Sequence, residues 1–308
     1  MHRSIGGTVF RYLMTVLAAA VAAGFLLTVV SRPAKDLNDD MTRRLIDVQR
    51  VPEVHVEEVS TDVRIIPNLK YGTHARHTLD LYAPAASKFP TVVFVHGGNW
   101  KTGDKTLYGH VGRHLAKHGF GAAVINYRLH PDAHYPAQVE DSAQAVSWVK
   151  RHVEQHGGSG QIFLMGHSAG GQIVSLLATD ETFLQAKQVG LREVSGVVSL
   201  SGLYTINSNV SFAGAGDVFQ NVDKRLASPI NHIKPATPPF LLVYSSNDYK
   251  TLDRQAKAMA TELSKKGVSA TMLEIRGEDH VSEMVNFASP RGTAYTDHIY
   301  RWMRSKAH

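Results

Sequence analysis

The stretch that decides the fold is IFLMGHSAG, residues 162–170. Its apolar half predicts a buried strand, and Gln172–Ala178, which follows, is typical of a helix. A serine on a tight turn from strand to helix needs small neighbours, because the backbone there is strained and closely packed. Gly166 and Gly170 provide that room. We therefore predict that Ser168 is a nucleophile, held clear of the backbone at the positive end of the helix.

Short apolar runs on both sides of this stretch predict a mostly parallel sheet. Such runs are typical of strands that are buried on both faces. They are Thr91–Val95, Ala122–Asn126, Ile162–Met165, Val194–Leu200, Phe240–Ser245 and Thr271–Ile275. Segments with helical periodicity lie between several of them, so we expect right-handed crossovers and an α/β sheet covered by helices on both faces. These segments are Leu107–Lys117, Val139–Val153 and Leu252–Leu263.

Two earlier segments predict antiparallel strands that precede the parallel sheet. Val54–Ile66 alternates like a half-buried strand, with a change of phase at Glu57-Glu58 that suggests a bulge or two strands. Thr78–Tyr82 is a second short strand. Residues 203–237, rich in Asn, Ser, Gly and Pro, interrupt the later alternation and are interpreted as an insertion able to cap a site.

A glycine-containing loop follows the strand Thr91–Val95 and reads HGGNW, residues 96–100. An acyl-transfer site must stabilise a developing oxyanion with preorganised N–H groups, and glycines let the backbone approach a substrate. We predict that Gly98 and Asn99 donate from this loop and that Ala169 donates from the turn after Ser168. An ordinary turn is the alternative interpretation of the loop.

A serine nucleophile needs a base, and the base needs a carboxylate that orients it. Asp248 and His280 each lie just past the end of a predicted parallel strand, at the edge where open α/β sheets place their sites. Ser168 and the loop that begins at His96 reach the same edge. We therefore assign His280 as base and Asp248 as acid, with Asp253 and Asp279 as rival acids.

Further residues are weaker candidates for the walls of a substrate pocket. They are His96, Gly97, Trp100, His167, Tyr204 and Phe212. His96 and His167 are structural or line the site in this interpretation and take no part in the chemistry. The pair His74 and His77 has a spacing that a metal could use, but no acidic residue lies near it in sequence, so it is interpreted as a loop. No metal or cofactor is expected.

Composition narrows the class of protein. The chain has 308 residues, 43% of them hydrophobic and 19% charged, which predicts a packed core. The absence of cysteine excludes a disulfide scaffold, a cysteine nucleophile and a thiolate metal site. The net charge is +6, and residues 1–35 contain four basic residues and no acid. The remainder is close to balanced and contains no basic run interleaved with aromatics, which argues against nucleic-acid binding.

Tyr12–Val30 contains no charged residue and reads YLMTVLAAAVAAGFLLTVV. About 20 apolar residues span a bilayer as a helix, whereas a secretory signal has a shorter apolar region of about 7–15. Ser31-Arg32-Pro33 is a weak cleavage site, so an uncleaved anchor is favoured over a cleaved signal that would release a secreted or periplasmic protein. The short basic N-terminus favours a catalytic domain on the extracytoplasmic side.

The resulting domain prediction has three parts. Residues 1–35 form a membrane anchor or signal segment, and residues 36–53 form a tether with a short helix around Met41–Val48. Residues 54–308 form the catalytic domain. The oligomeric state is left open.

Together these motifs resemble the hormone-sensitive-lipase-like branch of the α/β hydrolases, and more closely its esterase and kynurenine-formamidase-like group. The resemblance includes His96–Trp100, the Gly103-Asp104-Lys105 that follows, the stretch Asn126–Leu129 and the turn Gly166–Gly170. It implies hydrolysis of a small ester through a Ser-His-Asp triad. An amidase such as a formamidase is one alternative, and a non-catalytic, membrane-tethered binding protein is another.

Overall fold

A computed structural model of the chain describes residues 43–44, 63–207 and 217–307. The predicted membrane span Tyr12–Val30 and the phase change at Glu57-Glu58 lie outside the described residues. Of the predicted tether, Arg43 and Arg44 are described and both are helical. Within the described part of the chain, no helix is long and apolar enough to cross a bilayer.

One sheet of eight strands organises the described residues, in the order β1-β2-β4-β3-β5-β6-β7-β8. The strands are β1 Arg64–Lys70, β2 Thr78–Ala83, β3 Phe89–Val95, β4 Gly121–Ile125, β5 Gly158–His167, β6 Val194–Leu200, β7 Phe240–Ser245 and β8 Ala270–Ile275. The β1–β2 and β2–β4 pairs are antiparallel. Every other neighbouring pair is parallel. The predicted mostly parallel sheet with antiparallel lead-in strands is therefore confirmed.

Helices cover both faces of the sheet. They are α1 Gly109–Lys117, α2 Ala137–His152, α3 Ala169–Thr179, α4 Glu181–Gln185, α5 Leu252–Lys265, α6 Ser282–Val285 and α7 Thr293–Arg304. Side chains of α2, α3 and α5 pack in one apolar cluster, whereas those of α1 and α7 pack in a second. Alternate residues of β3 enter the two clusters: Val93 belongs to the first and Phe94 to the second. This alternation explains why the central strands are apolar along their whole length.

Two strands differ from the prediction. β8 was expected to be buried on both faces, but most of its residues are half-buried or exposed, because among the described strands it pairs with β7 alone, at the edge of the sheet. β1 was expected to end at Ile66, yet it continues to Lys70 with a register shift between Ile66 and Leu69. In the sequence, Pro67-Asn68 is typical of the end of a strand. An edge strand accommodates both a proline and a bulge, so β1 continues through the pair.

Candidate active site

Ser168 occupies the turn between β5 and α3. Its backbone angles, φ 56° and ψ −119°, lie in a region that residues with a side chain rarely adopt. A Cβ atom on Gly166 would lie 2.3 Å from the Gly170 carbonyl oxygen, and one on Gly170 would lie 2.0 Å from the Val95 carbonyl oxygen. The two glycines therefore permit the close contact between β3, β5 and α3 that keeps the serine in this conformation.

The structure brings together the three side chains predicted to form the reacting group. His280 Nε2 lies 2.8 Å from Ser168 Oγ, and His280 Nδ1 lies 2.8 Å from Asp248 Oδ1. An ionised carboxylate only accepts, so Nδ1 carries the proton and the lone pair of Nε2 faces the serine hydroxyl group. Asp248 follows β7 and His280 follows β8, so both lie past the carboxyl ends of parallel strands, as predicted.

The two rival acids have other partners. Asp253, in the first turn of α5, pairs with Lys257 Nζ at 3.0 Å on the surface. Asp279 accepts from the backbone N–H groups of Val281 and Ser282 at 2.9 and 2.7 Å, which caps the turn that carries His280. Neither carboxylate forms a hydrogen bond with the imidazole, whose ring nitrogens bond to Asp248 and Ser168.

The pKa shifts of the pair favour its charged form. Burial lowers the pKa of His280. The charge and hydrogen bond of Asp248, followed by the charges of Glu283 and Asp279, raise that pKa by a larger amount, so it lies above the ordinary value of 6.5. Burial raises the pKa of Asp248, but the His280 charge and the hydrogen bonds from His280, Ser201 and the Tyr249 N–H lower it by more. Together these shifts stabilise an imidazolium–carboxylate pair.

The loop after β3 has an unusual backbone. Gly98, Asn99 and Trp100 have φ values of 119°, 54° and 59°, a run of left-handed conformations that is costly for the two residues with side chains. The N–H groups of residues 101 and 102 both donate to the Gly98 carbonyl oxygen, at 3.0 and 2.9 Å, and close the loop. Successive amide groups in such turns form concavities that bind anions.

This loop lies directly beside the serine. A Cβ atom on Gly97 would lie 3.1 Å from Ser168 Cβ. Ala169 is the first residue of α3, so its N–H has no acceptor within the helix. The oxyanion role of Gly98, Asn99 and Ala169 stays a prediction that this proximity supports.

Two sequence motifs hold the loop in place. Asn126 Nδ2 donates to Asp104 Oδ2 at 2.6 Å, and the Lys105 N–H donates to Asn126 Oδ1 at 2.7 Å. The Tyr127 hydroxyl group donates to the His96 carbonyl oxygen at 2.9 Å. The Gly-Asp-Lys and Asn-Tyr-Arg stretches therefore act as supports behind the loop.

The predicted pocket residues that the structure describes are buried. The His96 ring has no exposed surface and stacks on Tyr127, and burial lowers its pKa to about 4, so it is neutral. Trp100 Nε1 donates to Gln172 Oε1 at 3.0 Å, which ties the loop to α3. The Tyr204 hydroxyl group donates to Ser199 Oγ at 2.9 Å. These contacts give each side chain a structural role, and contact with substrate stays a prediction.

Part of the predicted insertion packs on the same loop. Phe219 meets the Trp100 ring edge-to-face, with centroids 4.9 Å apart. Asp217 lies 2.6 Å from Lys101 Nζ and 3.1 Å from His130 Nε2. Phe212 lies outside the described residues. The described ends of the insertion thus adjoin the site, as its interpretation as a cap requires.

The histidine pair interpreted as a loop has a buried partner that is distant in sequence. His77 Nε2 lies 3.1 Å from Asp141 Oδ1, and Arg128 grips the same carboxylate at 2.6–3.0 Å. Across residues 43–44, 63–207 and 217–307, no group of three or more metal-ligating side chains is placed to hold an ion.

Sequence reasoning missed a second carboxylate, which lies behind Asp248 and His280. Glu283 is completely buried; its Oε2 atom accepts from the Ser245 hydroxyl group at 2.6 Å and lies 2.9 Å from Ser201 Oγ. Ser201 Oγ also lies 2.5 Å from Asp248 Oδ2. The one signal in the sequence is position, since Glu283 follows His280 by three residues.

A mostly parallel sheet with helices on both faces and a serine on the turn after its central strand β5 defines an α/β hydrolase. Residues 79–263 match the BD-FAE family, and the chain belongs to that family. The structure is also similar to esterase B from Lactobacillus rhamnosis inhibited by a tributyrin phosphonate. The TM-score is 0.73 with 24% identity, over 95% of this chain and 96% of that one.

Similar sequences include a plant methylesterase and a fish formamidase. A probable isoprenylcysteine alpha-carbonyl methylesterase of Arabidopsis thaliana is 26% identical over 69% of this chain and 50% of its own length. Kynurenine formamidase of Danio rerio is 23% identical over 79% of this chain and 83% of its own length. The chain thus spans about half the length of the methylesterase.

Proposed function

We propose that the protein is a serine carboxylic-ester hydrolase that acts on a small ester through Ser168, His280 and Asp248. One observation carries the proposal, the unbroken chain of two 2.8 Å contacts from the serine oxygen through the imidazole to the carboxylate. The names of the methylesterase and of esterase B support an ester as the substrate class.

The proposed reaction is a two-step acyl transfer. His280 Nε2 removes the Ser168 proton as the serine oxygen attacks the ester carbonyl, and the resulting oxyanion accepts hydrogen bonds from the amides near Gly98 and Ala169. The imidazolium then gives its proton to the departing alkoxide, which leaves as the alcohol. Water, deprotonated by the same imidazole, attacks the acyl-enzyme and releases the acid and the free serine.

Asp248 has two tasks in this scheme. Its hydrogen bond to Nδ1 fixes the tautomer in which Nε2 is free to accept a proton, and its charge stabilises the imidazolium formed in each step. The raised pKa of His280 and the lowered pKa of Asp248 agree with that second task.

The test uses the purified full chain and p-nitrophenyl acetate. Replacing Ser168 with alanine removes the nucleophile and should lower turnover by about 10⁶-fold, as in a comparable triad. A fluorophosphonate probe should label the wild type at Ser168 and leave the alanine variant unlabelled. Wild-type turnover by Ser168→Ala would refute the assignment, and failure of the probe to label the wild type would favour a non-catalytic binding protein.

Amide hydrolysis by the same triad is the second candidate. It is favoured by one observation, that the formamidase match covers 83% of that protein, against 50% for the methylesterase. Comparing kcat/KM for p-nitrophenyl formate and p-nitroformanilide separates the two activities. A preference for the anilide, corrected for its lower intrinsic reactivity, would replace the ester proposal.

We also propose that residues 12–30 attach the protein to a membrane, with the hydrolase domain on the extracytoplasmic side. The uncharged run of 19 residues, flanked by Arg11 and Arg32, supports the attachment. Retention in the membrane fraction after a carbonate wash is the expected result. Release into the wash, or a mature N-terminus beyond residue 30, would favour a cleaved signal.

A further inference from the structure

Glu283 is a buried acid that the proposed reaction does not use. It lies in the short helix α6, three residues after His280, and its side chain has no exposed surface. A carboxylate loses much favourable hydration when it is buried, so its partners need to compensate. Those partners all come from the ends of strands that carry the site.

One arm of Glu283 reaches the side chain of Asp248. Glu283 Oε2 lies 2.9 Å from Ser201 Oγ, which lies 2.5 Å from Asp248 Oδ2. The single proton of the Ser201 hydroxyl group is therefore placed between two carboxylate oxygens. Ser245, the last residue of β7, donates to the same Glu283 oxygen at 2.6 Å and fixes its position.

The other arm reaches the backbone of His280. His167 Nε2 lies 2.8 Å from the His280 carbonyl oxygen and 3.3 Å from Glu283 Oε1. A carbonyl group only accepts, so this nitrogen carries a proton, which it donates to the His280 carbonyl oxygen, while Glu283 Oε1 lies within ion-pair distance of the same nitrogen. Glu283 is thus linked through Ser201 to the Asp248 carboxylate. It is linked through His167 to the backbone of His280.

We propose that Glu283 is a positioning residue, which through Ser201 and His167 fixes Asp248 and the backbone of His280 in the geometry that activates Ser168. The inference rests on the proposed function and adds to it a residue that touches neither substrate nor reacting atoms. Its carboxylate also places a second negative charge near the imidazole.

The groups that face the two side chains define what a pH experiment reports. His280 is faced by Asp248, Asp279, Glu283, His167 and Tyr249. Glu283 is faced by Ser201, Ser245, His167 and His280, while the Tyr295 hydroxyl group binds its carbonyl oxygen. The charge of Glu283 raises the pKa of His280, so its loss should move the acid limb of the rate profile to lower pH.

Glu283→Gln separates charge from geometry. The amide group can donate to the serine hydroxyl oxygens and present its carbonyl oxygen to His167, so the plateau kcat should stay within about threefold of wild type. The acid limb of kcat/KM should move to lower pH, because the negative charge is gone. Glu283→Ala removes both arms and should lower kcat by about 10- to 100-fold with little change in KM, since small displacements of reacting groups cost this much.

Ser201→Ala tests the first arm alone and keeps the second carboxylate. Both residues carry a Cβ atom, so the strain at the Ser201 φ of 45° is unchanged. The rate constant for fluorophosphonate labelling should fall about tenfold, and this readout requires no knowledge of the natural substrate. Ser142→Ala is the matched control, because it deletes a buried hydroxyl group in α2 and should label at the wild-type rate.

The outcomes distinguish this inference from the function on which it rests. If Ser168→Ala is inactive while Ser201→Ala labels normally and Glu283→Gln has the wild-type acid limb, the positioning role is refuted and the hydrolase stands. An active Ser168→Ala would instead refute the hydrolase itself. The folded fraction of Ser201→Ala is measured by thermal denaturation. If its labelling rate constant falls only in proportion to a loss of folded protein, the positioning role is also refuted.

Discussion

Replacing Asp248 with asparagine should lower kcat by less than is usual when the carboxylate of such a triad is removed. Asp248 Oδ1 faces two donors, His280 Nδ1 at 2.8 Å and the Tyr249 N–H at 2.7 Å, whereas Oδ2 faces the Ser201 hydroxyl group. The asparagine oxygen should take the Oδ1 position, because an NH₂ group there would set donor against donor at both the His280 Nδ1–H and the half-buried Tyr249 N–H. Its NH₂ group would then donate to Ser201, whose own proton can go to Glu283 Oε2.

The magnitude follows from what this orientation keeps. The Nδ1–H tautomer of His280 is retained, so only the charge is lost. An opposite charge beside a titrating group shifts its pKa by about 1–3 units, which corresponds to a loss of about 10- to 1000-fold in kcat. Where the same replacement imposes the wrong tautomer, the loss is about 10⁴-fold.

The assay is steady-state hydrolysis of p-nitrophenyl acetate across pH 5–9, with active sites counted by fluorophosphonate labelling. Asp253→Asn is the matched control, since this exposed acid pairs with Lys257 and should leave kcat unchanged. A loss of 10⁴-fold or more for Asp248→Asn would refute the reasoning, because it would mean that the Tyr249 N–H and Ser201 fail to hold the amide in the productive orientation.

Three further results are expected from the same geometry. The acid limb of wild-type kcat/KM should have its midpoint above pH 6.5, because neutral His280 is the proposed base and its pKa is raised; a midpoint below 6.5 would contradict this. Gly170→Ala should lower kcat/KM by about 100-fold, since a methyl group 2.0 Å from a carbonyl oxygen of β3 displaces the serine turn, while Gly190→Ala, whose Cβ would lie 3.6 Å from its nearest neighbour, should be neutral. Lys105→Met should reduce the free energy of unfolding in urea by about 3–5 kcal/mol, because it leaves the Asp80 charge buried without its 2.6 Å partner; a change below 1 kcal/mol would refute that account.

Much of the fold follows from local pattern. Val194–Leu200 and Phe240–Ser245 are strands with the predicted bounds, and the other apolar runs differ by a few residues at their ends. These segments are predictable because strands covered on both faces are apolar at every position. The proximity of Ser168, Asp248 and His280 was also predictable, because each follows a parallel strand and the carboxyl ends of parallel strands meet at one side of the sheet.

The polar residues behind the triad could not be predicted in the same way. Ser201 and Ser245 follow or end strands, but many serines do so, and their contact with Glu283 depends on the register between neighbouring strands. The Ser201 φ of 45° has no local signature, because a serine there reads as an ordinary turn residue. Edge position is likewise a property of the whole sheet, which explains the error at β8.

The fold does not protect His280, Ser168 and Asp248 equally against local unfolding. Ser168 follows β5, which has a hydrogen-bonded strand on each side, and Asp248 follows β7, which lies between β6 and β8. His280 instead follows β8, the outermost strand, which is largely half-buried or exposed. Outer strands open at lower free energy than the rest of a domain. Heat or denaturant should therefore displace His280, the proposed base, while Ser168, the proposed nucleophile, is still held in the folded interior. Activity should then be lost at a lower temperature or denaturant concentration than the folded structure as a whole.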